Sequence, residues 1–142
     1  MISDCAKVVL WYRIVPMDTT TLKKKVLVVE DDKFFMDLLV KRLSGADFAV
    51  VFAQSGKLGL DMATSEKPDV ILLDILLPDM DGFEILTKIK EAKNPAPVIF
   101  LSNLGSREQL QKAKDLGITT FMIKATVSLD NIVKEVQKAA GV

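Results

Sequence analysis

With 142 residues, 49% of them hydrophobic, the chain can build one domain with a packed core and is too short for two. Lys plus Arg and Asp plus Glu both number 19, so no net charge calls for nucleic acid or an anionic membrane as a partner. The absence of histidine removes the commonest metal ligand and general base, while the single Cys5 excludes an internal disulfide and fits a reducing, cytoplasmic compartment.

Residues 1–24 read as an extension ahead of a main domain at 25–142. The extension holds Trp11 and Tyr12, then Pro16 and the polar run Thr19 to Thr21. Its apolar run, Val8 to Tyr12, is too short to span a bilayer; Asp4 spoils a positive leader and Arg13 interrupts the run. An ill-ordered tail is the simpler expectation, with a short strand at Val8 to Val15 as the alternative.

From Lys25 onward strands and helices alternate. Val26 to Val29 predicts a strand, and Phe34, Phe35, Leu38, Leu39 and Leu43 recur at helical spacing up to Gly45. Phe48 to Ala53 is a second strand. Ser55 caps a helix carrying Leu58, Met62 and Ala63, which ends before Pro68. Val70 to Leu73 is a third strand, apolar throughout and therefore buried on both faces. A loop with Pro78 and Gly82 leads to a helix through Phe83, Leu86 and Ile89. Val98 to Leu101 is the fourth strand, and Ser106 opens a helix through Leu110, Ala113 and Leu116 that stops at Gly117. Thr119 to Ile123 is the fifth strand. Ser128 caps a last helix with Leu129, Ile132, Val133 and Val136 on one stripe. This alternation predicts an α/β fold with a doubly wound, five-stranded parallel sheet in the order 2-1-3-4-5.

Four strand ends then deliver polar groups to one edge. The first gives Glu30, Asp31 and Asp32, the third Asp74, the fourth Ser102 and the fifth Lys124. A buried strand ending on an acid is costly unless the acid emerges at the edge where open α/β sheets bind ligands. Crowded carboxylates raise one another's pKa unless a cation intervenes. Oxygen ligands without His or Cys suit a hard ion, Mg²⁺ before Zn²⁺. Asp74 is then placed as a carboxylate nucleophile for a phosphoryl group, with Lys124 and Ser102 beside it. Each residue alone has a plainer reading: Asp32 as a helix cap, Ser102 as a turn residue, Lys124 as a solvated charge. Their convergence on one crevice favours a site.

Five blocks carry a family resemblance: Val-Leu-Val-Val-Glu-Asp-Asp at 26–32, Leu-Leu-Asp at 72–74, Leu-Pro-Asp-Met-Asp-Gly at 77–82, Leu-Ser at 101–102 and Phe-Met-Ile-Lys at 121–124. Together they resemble the CheY-like receiver domain of bacterial two-component response regulators, a flavodoxin-like fold. The resemblance implies that Asp74 accepts phosphate. Glu30 and Asp31 would position Mg²⁺ with Asp74 and the backbone carbonyl of Leu76. Ser102 would be the switch hydroxyl, Phe121 the switch aromatic and Lys124 the phosphate-contacting lysine. The donor would be a histidine kinase or histidine phosphotransfer protein, and the protein target is unreadable. The resemblance describes a signalling domain rather than an enzyme with a separate substrate.

One position departs from the pattern. Ala125 stands where the family usually has a proline in a cis peptide. A cis bond before a non-proline residue costs about 3–4 kcal/mol, so a trans or mixed bond is expected here. A degenerate receiver that binds partners without phosphate is the alternative reading. A flavoprotein of the same topology ranks lower, since Glu30, Asp31 and Asp32 would repel its phosphate. Leu76 and Leu104, which flank the site in this pattern, predict a slowly hydrolysed phosphate. The face made by the fourth helix, fifth strand and fifth helix is expected to read it out.

Overall fold

The branched apolar runs become strands because their side chains can pack on both faces of a sheet. The structure is a computed structural model, and it describes residues 23–103 and 105–142. Its elements are β1 (Lys25–Val29), α1 (Lys33–Gly45), β2 (Ala49–Ala53), α2 (Gly56–Ser65), β3 (Val70–Asp74), α3 (Gly82–Glu91), β4 (Val98–Ser102), α4 (Arg107–Asp115), β5 (Phe121–Ile123) and α5 (Leu129–Ala140). The strands form one parallel sheet in the order β2-β1-β3-β4-β5, as the alternation of elements predicts.

Two cores lie on opposite faces of the sheet, because successive side chains along a strand point opposite ways. Leu27, Val29, Ile71, Leu73 and Phe100 face one side with Ala63 of α2, Phe83, Ile85, Leu86 and Ile89 of α3, and Ala113 of α4. Val26, Val28, Val70, Leu72, Ile99 and Leu101 face the other, with Met36, Leu39 and Leu43 of α1 and Ile132 and Val136 of α5. β3 is central, and all five of its residues are buried.

Each helix begins at a side-chain cap. Asp32, Ser55, Asp81, Ser106 and Ser128 accept from Phe35, Leu58, Phe83, Gln109 and Asn131 N–H groups respectively. Such a cap is typically worth about 1 kcal/mol. The caps at Asp32 and Asp81 also fix where the chain turns after β1 and before α3. α5 ends on Gly141 with φ 77°, a left-handed cap that glycine adopts without strain.

The structure departs from the sequence-based elements in detail. Phe34 is 75% exposed and does not join the core stripe. Met36 takes its place, because it shares a helix face with Leu39 and Leu43 whereas Phe34 lies about 200° around the helix from Met36. Leu58 and Leu110 are also substantially exposed. Phe48 precedes β2, with its N–H donating to Leu43 O at the end of α1. β5 is shorter than Thr119 to Ile123, since its pairing with β4 begins at Phe100 and Phe121. The Lys124–Ala125 peptide is trans, and no peptide bond among the described residues is cis. The expectations for residues 1–24 fall almost wholly outside the described residues, as does Leu104.

Candidate functional site

β1 and β3 lie side by side at the point where the strand order reverses, and their carboxyl ends deliver acids to the same place. The ladder continues past β1, with Glu30 N–H donating to Ala53 O at 3.0 Å. Glu30 is 1% exposed and Asp74 3% exposed, while Asp31 lies on the surface. Asp74 Oδ1 accepts from Leu76 N–H at 3.1 Å, and Glu30 Oε1 accepts from Asp32 N–H at 3.1 Å.

Lys124 crosses from β5 to join these acids. Its backbone N–H donates to Ser102 O at 2.8 Å, which fixes its start beside the end of β4. Its Nζ lies 2.9 Å from Asp74 Oδ2 and 2.5 Å from Glu30 Oε2, and 5.1 Å from the centre of the Phe35 ring. The trans bond to Ala125 therefore does not keep the ammonium from Asp74. Ser102 closes β4 and is buried. Phe121 opens β5, half-buried, with its ring edge-on to Phe100 at 6.2 Å between centroids. Leu76 remains 54% exposed, so its side chain stands at the rim.

Burial pushes the Glu30 carboxyl up from 4.5 to about 7; the Asp74 charge adds to this, and bonds from Lys124 and Asp32 oppose it. Burial alone would lower the Lys124 ammonium, but hydrogen bonds to Glu30 and Asp74 and their charges outweigh it and hold lysine above its usual range. Glu30 Oε2 is buried, and the Lys124 ammonium is the group that faces it.

Carboxylate oxygens of Glu30, Asp31 and Asp74 lie within 4.8 Å of one another. Three oxygen donors at that spacing, two of them on buried residues, fit a small hard cation. A cation there would also relieve the desolvation that raises Glu30. One carbonyl from the β3–α3 loop would complete a set of the Mg²⁺ type.

Three residues acquire a place that the sequence reading did not give them. Phe35, read only as part of a helical stripe, lies against the Lys124 ammonium at cation–π distance. Gly82 fits where a Cβ would come 2.6 Å from Ile75 Cα and 2.9 Å from Asp74 O. Asp79 accepts from the N–H groups of Gly56 and Lys57 at 2.8 and 2.9 Å, tying the loop after β3 to the start of α2. The glycine was visible inside its motif, whereas nothing in the local sequence signals a bond across 23 residues.

A doubly wound parallel sheet with a buried aspartate, two neighbouring acids and a lysine at its switch point places the chain in the α/β class with an acidic site centred on Asp74. The response regulator receiver domain family matches residues 26–137, and the chain belongs to that family. It is 36% identical over 100 residues to the transcriptional regulatory protein CusR of Escherichia coli, covering 70% of this chain and 44% of CusR. The chain thus spans less than half the length of that regulator. It is 32% identical over 117 residues to sporulation initiation phosphotransferase F of Bacillus subtilis, covering 82% of this chain and 94% of that protein. Among solved structures, the receiver domain of Francisella response regulator 1452 superposes with a TM-score of 0.79 at 27% identity, over 84% of this chain and 98% of that one. The match supports the two-component assignment. No helix among the described residues is long and apolar enough to cross a membrane.

Proposed function

We propose that this receiver accepts a phosphoryl group on Asp74, with Mg²⁺ present, from a histidine kinase or histidine phosphotransfer protein. The observation that carries the reading is the buried Asp74 carboxylate, flanked by Glu30 and Asp31 and paired with Lys124. An Asp74 oxygen attacks the phosphorus of a phosphohistidine. The phosphorus–nitrogen bond breaks, and its electron pair leaves with the imidazole, which takes up a proton. Mg²⁺, held by Glu30, Asp31, Asp74 and the Leu76 carbonyl, would supply positive charge to the phosphoryl oxygens. Lys124 supplies a second, mobile positive charge there.

The functional unit in this proposal is 25–142, with 1–24 as an extension, and its setting is the cytoplasm. Its chemistry is confined to its own phosphotransfer and slow autodephosphorylation. Phosphate would be read on the face made by α4, β5 and α5. The Ser102 hydroxyl would turn to the phosphate, and Phe121 would move into the space this opens. A ligand shifts such an equilibrium only through contacts that differ between the two states, and Ser102 and Lys124 supply them.

Acetyl phosphate tests the assignment. Wild type is expected to form a base-labile acyl phosphate only with Mg²⁺, and Asp74→Asn to form none while keeping its fold. Undiminished labelling of Asp74→Asn, or labelling in excess chelator, overturns the reading.

A further inference from the structure

We propose that Asp79 is a positioning residue for the cation, acting through the loop that carries the Leu76 carbonyl. The inference rests on the reading of Asp74 and Mg²⁺ above and adds a residue that touches neither. The base of this loop is clamped. Gly82 N–H donates to Ile75 O at 2.7 Å, Leu76 and Asp81 form an isolated antiparallel bridge, and Leu76 N–H reaches Asp74 Oδ1. The tip at Leu77 to Met80 has no ladder to hold it.

Asp79 supplies the anchor. Its two carboxylate oxygens take separate N–H groups of the first turn of α2, at 2.8 and 2.9 Å. Ser55 already serves the next two through its Oγ and its carbonyl, so all four leading donors of α2 are satisfied only with Asp79 in place. The carboxylate also lies at the positive end of the helix dipole. The Gly56 and Lys57 bonds hold it below the usual carboxylate range. The approach is close enough to need glycine: a Cβ on Gly56 would come 2.8 Å from Met80 Cβ and 3.3 Å from Asp79 Oδ1.

A tip fixed to α2 and a base fixed to β3 leave the Leu76 backbone little freedom. Release of the tip lets the Leu76–Asp81 bridge pivot, and a cation then meets a carbonyl that must be ordered on binding. Groups that orient metal ligands without touching the metal typically contribute ~10–100-fold to affinity.

The full chain is compared with Asp79→Ala and Asp79→Asn by Mg²⁺ titration, read from the amide shifts of Asp74 to Leu77, and by thermal unfolding in chelator. Asp79→Ala is expected to raise the half-saturating Mg²⁺ about tenfold, and Asp79→Asn, which keeps one acceptor oxygen, by less. Saturating Mg²⁺ should return both variants to wild-type labelling of Asp74. If the melting temperature falls while half-saturation stays within about twofold of wild type, Asp79 is only a cap for α2 and the proposal fails. Asp79→Asn decides the matter alone if the alanine variant does not fold. Wild type that shows no Mg²⁺-dependent shifts overturns the reading of the site itself, an outcome distinct from a wild type that binds and variants that bind equally well.

Discussion

The loop leaving β3 and the loop leaving β5 both reach Asp74, the first through its backbone and the second through one side chain. The β3 loop is bonded at Ile75, Leu76, Asp79, Asp81 and Gly82. Past β5, the backbone turns on Ile123 O, which accepts from Thr126 and Val127 N–H groups, and the link to Asp74 is the four-carbon stem of Lys124. A backbone ligand must be placed once, because a metal that demands a near-octahedral shell tolerates little error. An ammonium on a flexible stem can follow a charge that appears and disappears. In the proposed reading one side of the site would hold still and the other would respond.

The hardest way to break this comparison is to remove the mobile charge. Lys124→Ala leaves Glu30 and Asp74 buried without their cation. Breaking a buried pair from one side typically costs ~3–5 kcal/mol, and Glu30 limits that loss by taking a proton. Unfolding in chelator should show the loss, and Mg²⁺ should restore part of it. Labelling by acetyl phosphate at saturating Mg²⁺ should still fall ~10²–10³-fold, as for removal of one donor to a developing charge. Wild-type labelling of this variant would mean that the rigid side does all the work. Gly82→Ala attacks that rigid side instead. Its Cβ meets backbone atoms at 2.6 and 2.9 Å, which no rotamer change relieves. A loss of about 1–3 kcal/mol is expected on denaturant unfolding, with weaker Mg²⁺ binding. Unchanged stability would show the loop to be looser than its bonds suggest.

Titration sharpens the comparison further. The folded Glu30 carboxyl holds its proton up to about pH 7, above its ordinary 4.5. Between those values the folded state binds more protons than the unfolded one, so the metal-free fold loses stability as pH rises through that window. Mg²⁺ must displace the same proton. Its affinity should therefore climb about tenfold per pH unit below 7 and level off above. Lys124, held above the usual lysine range, stays charged throughout and does not contribute to the slope. Isothermal titration across that window checks it, and a flat profile would remove Glu30 from the cation's shell.

The strand ends that carry the site were open to reading in the sequence on both sides, Asp74 and Glu30 on one and Lys124 on the other, while contacts between distant segments were not. Val70 to Leu73 has no polar residue, so its burial and the place of Asp74 at its carboxyl end are legible in the sequence, although Asp74 itself proves buried. The same holds for Val26 to Val29 and Glu30. Helix starts were legible because Ser and Asp caps act locally on the next turn. The orientation of α1 was not, since Phe34, Phe35, Leu38 and Leu39 are all apolar and periodicity cannot choose between adjacent faces. Packing chose Met36 and left Phe34 in solvent. Asp79 and the Phe35–Lys124 contact depend on segments brought together by the fold, and no local pattern carries that information.

The smallest effect expected is on the lifetime of the phosphate. Leu76 stands half-exposed at the rim of the site while its backbone is fixed to Asp74. In the proposed reading a leucine there would screen the phosphorus, and it has nothing with which to orient water. Full water-orienting or acid–base help is worth ~10²–10⁴ in rate, so one amide that recovers part of it should speed decay severalfold. Leu76→Asn is therefore expected to shorten the life of the Asp74 acyl phosphate, and addition of Leu104→Glu to shorten it again. Because the substitution changes the side chain and leaves the backbone bonds in place, Mg²⁺ half-saturation should not move, in contrast to Asp79→Ala. Decay of the labelled protein in Mg²⁺ buffer measures the first quantity and the amide shifts the second. If the double variant decays no faster than wild type, the leucines only pack against the loop and hydrolysis is limited elsewhere. If Leu76→Asn weakens Mg²⁺ as much as Asp79→Ala does, side chain and backbone at this position are not separable, and the rigid side of the site is less rigid than its bonds imply.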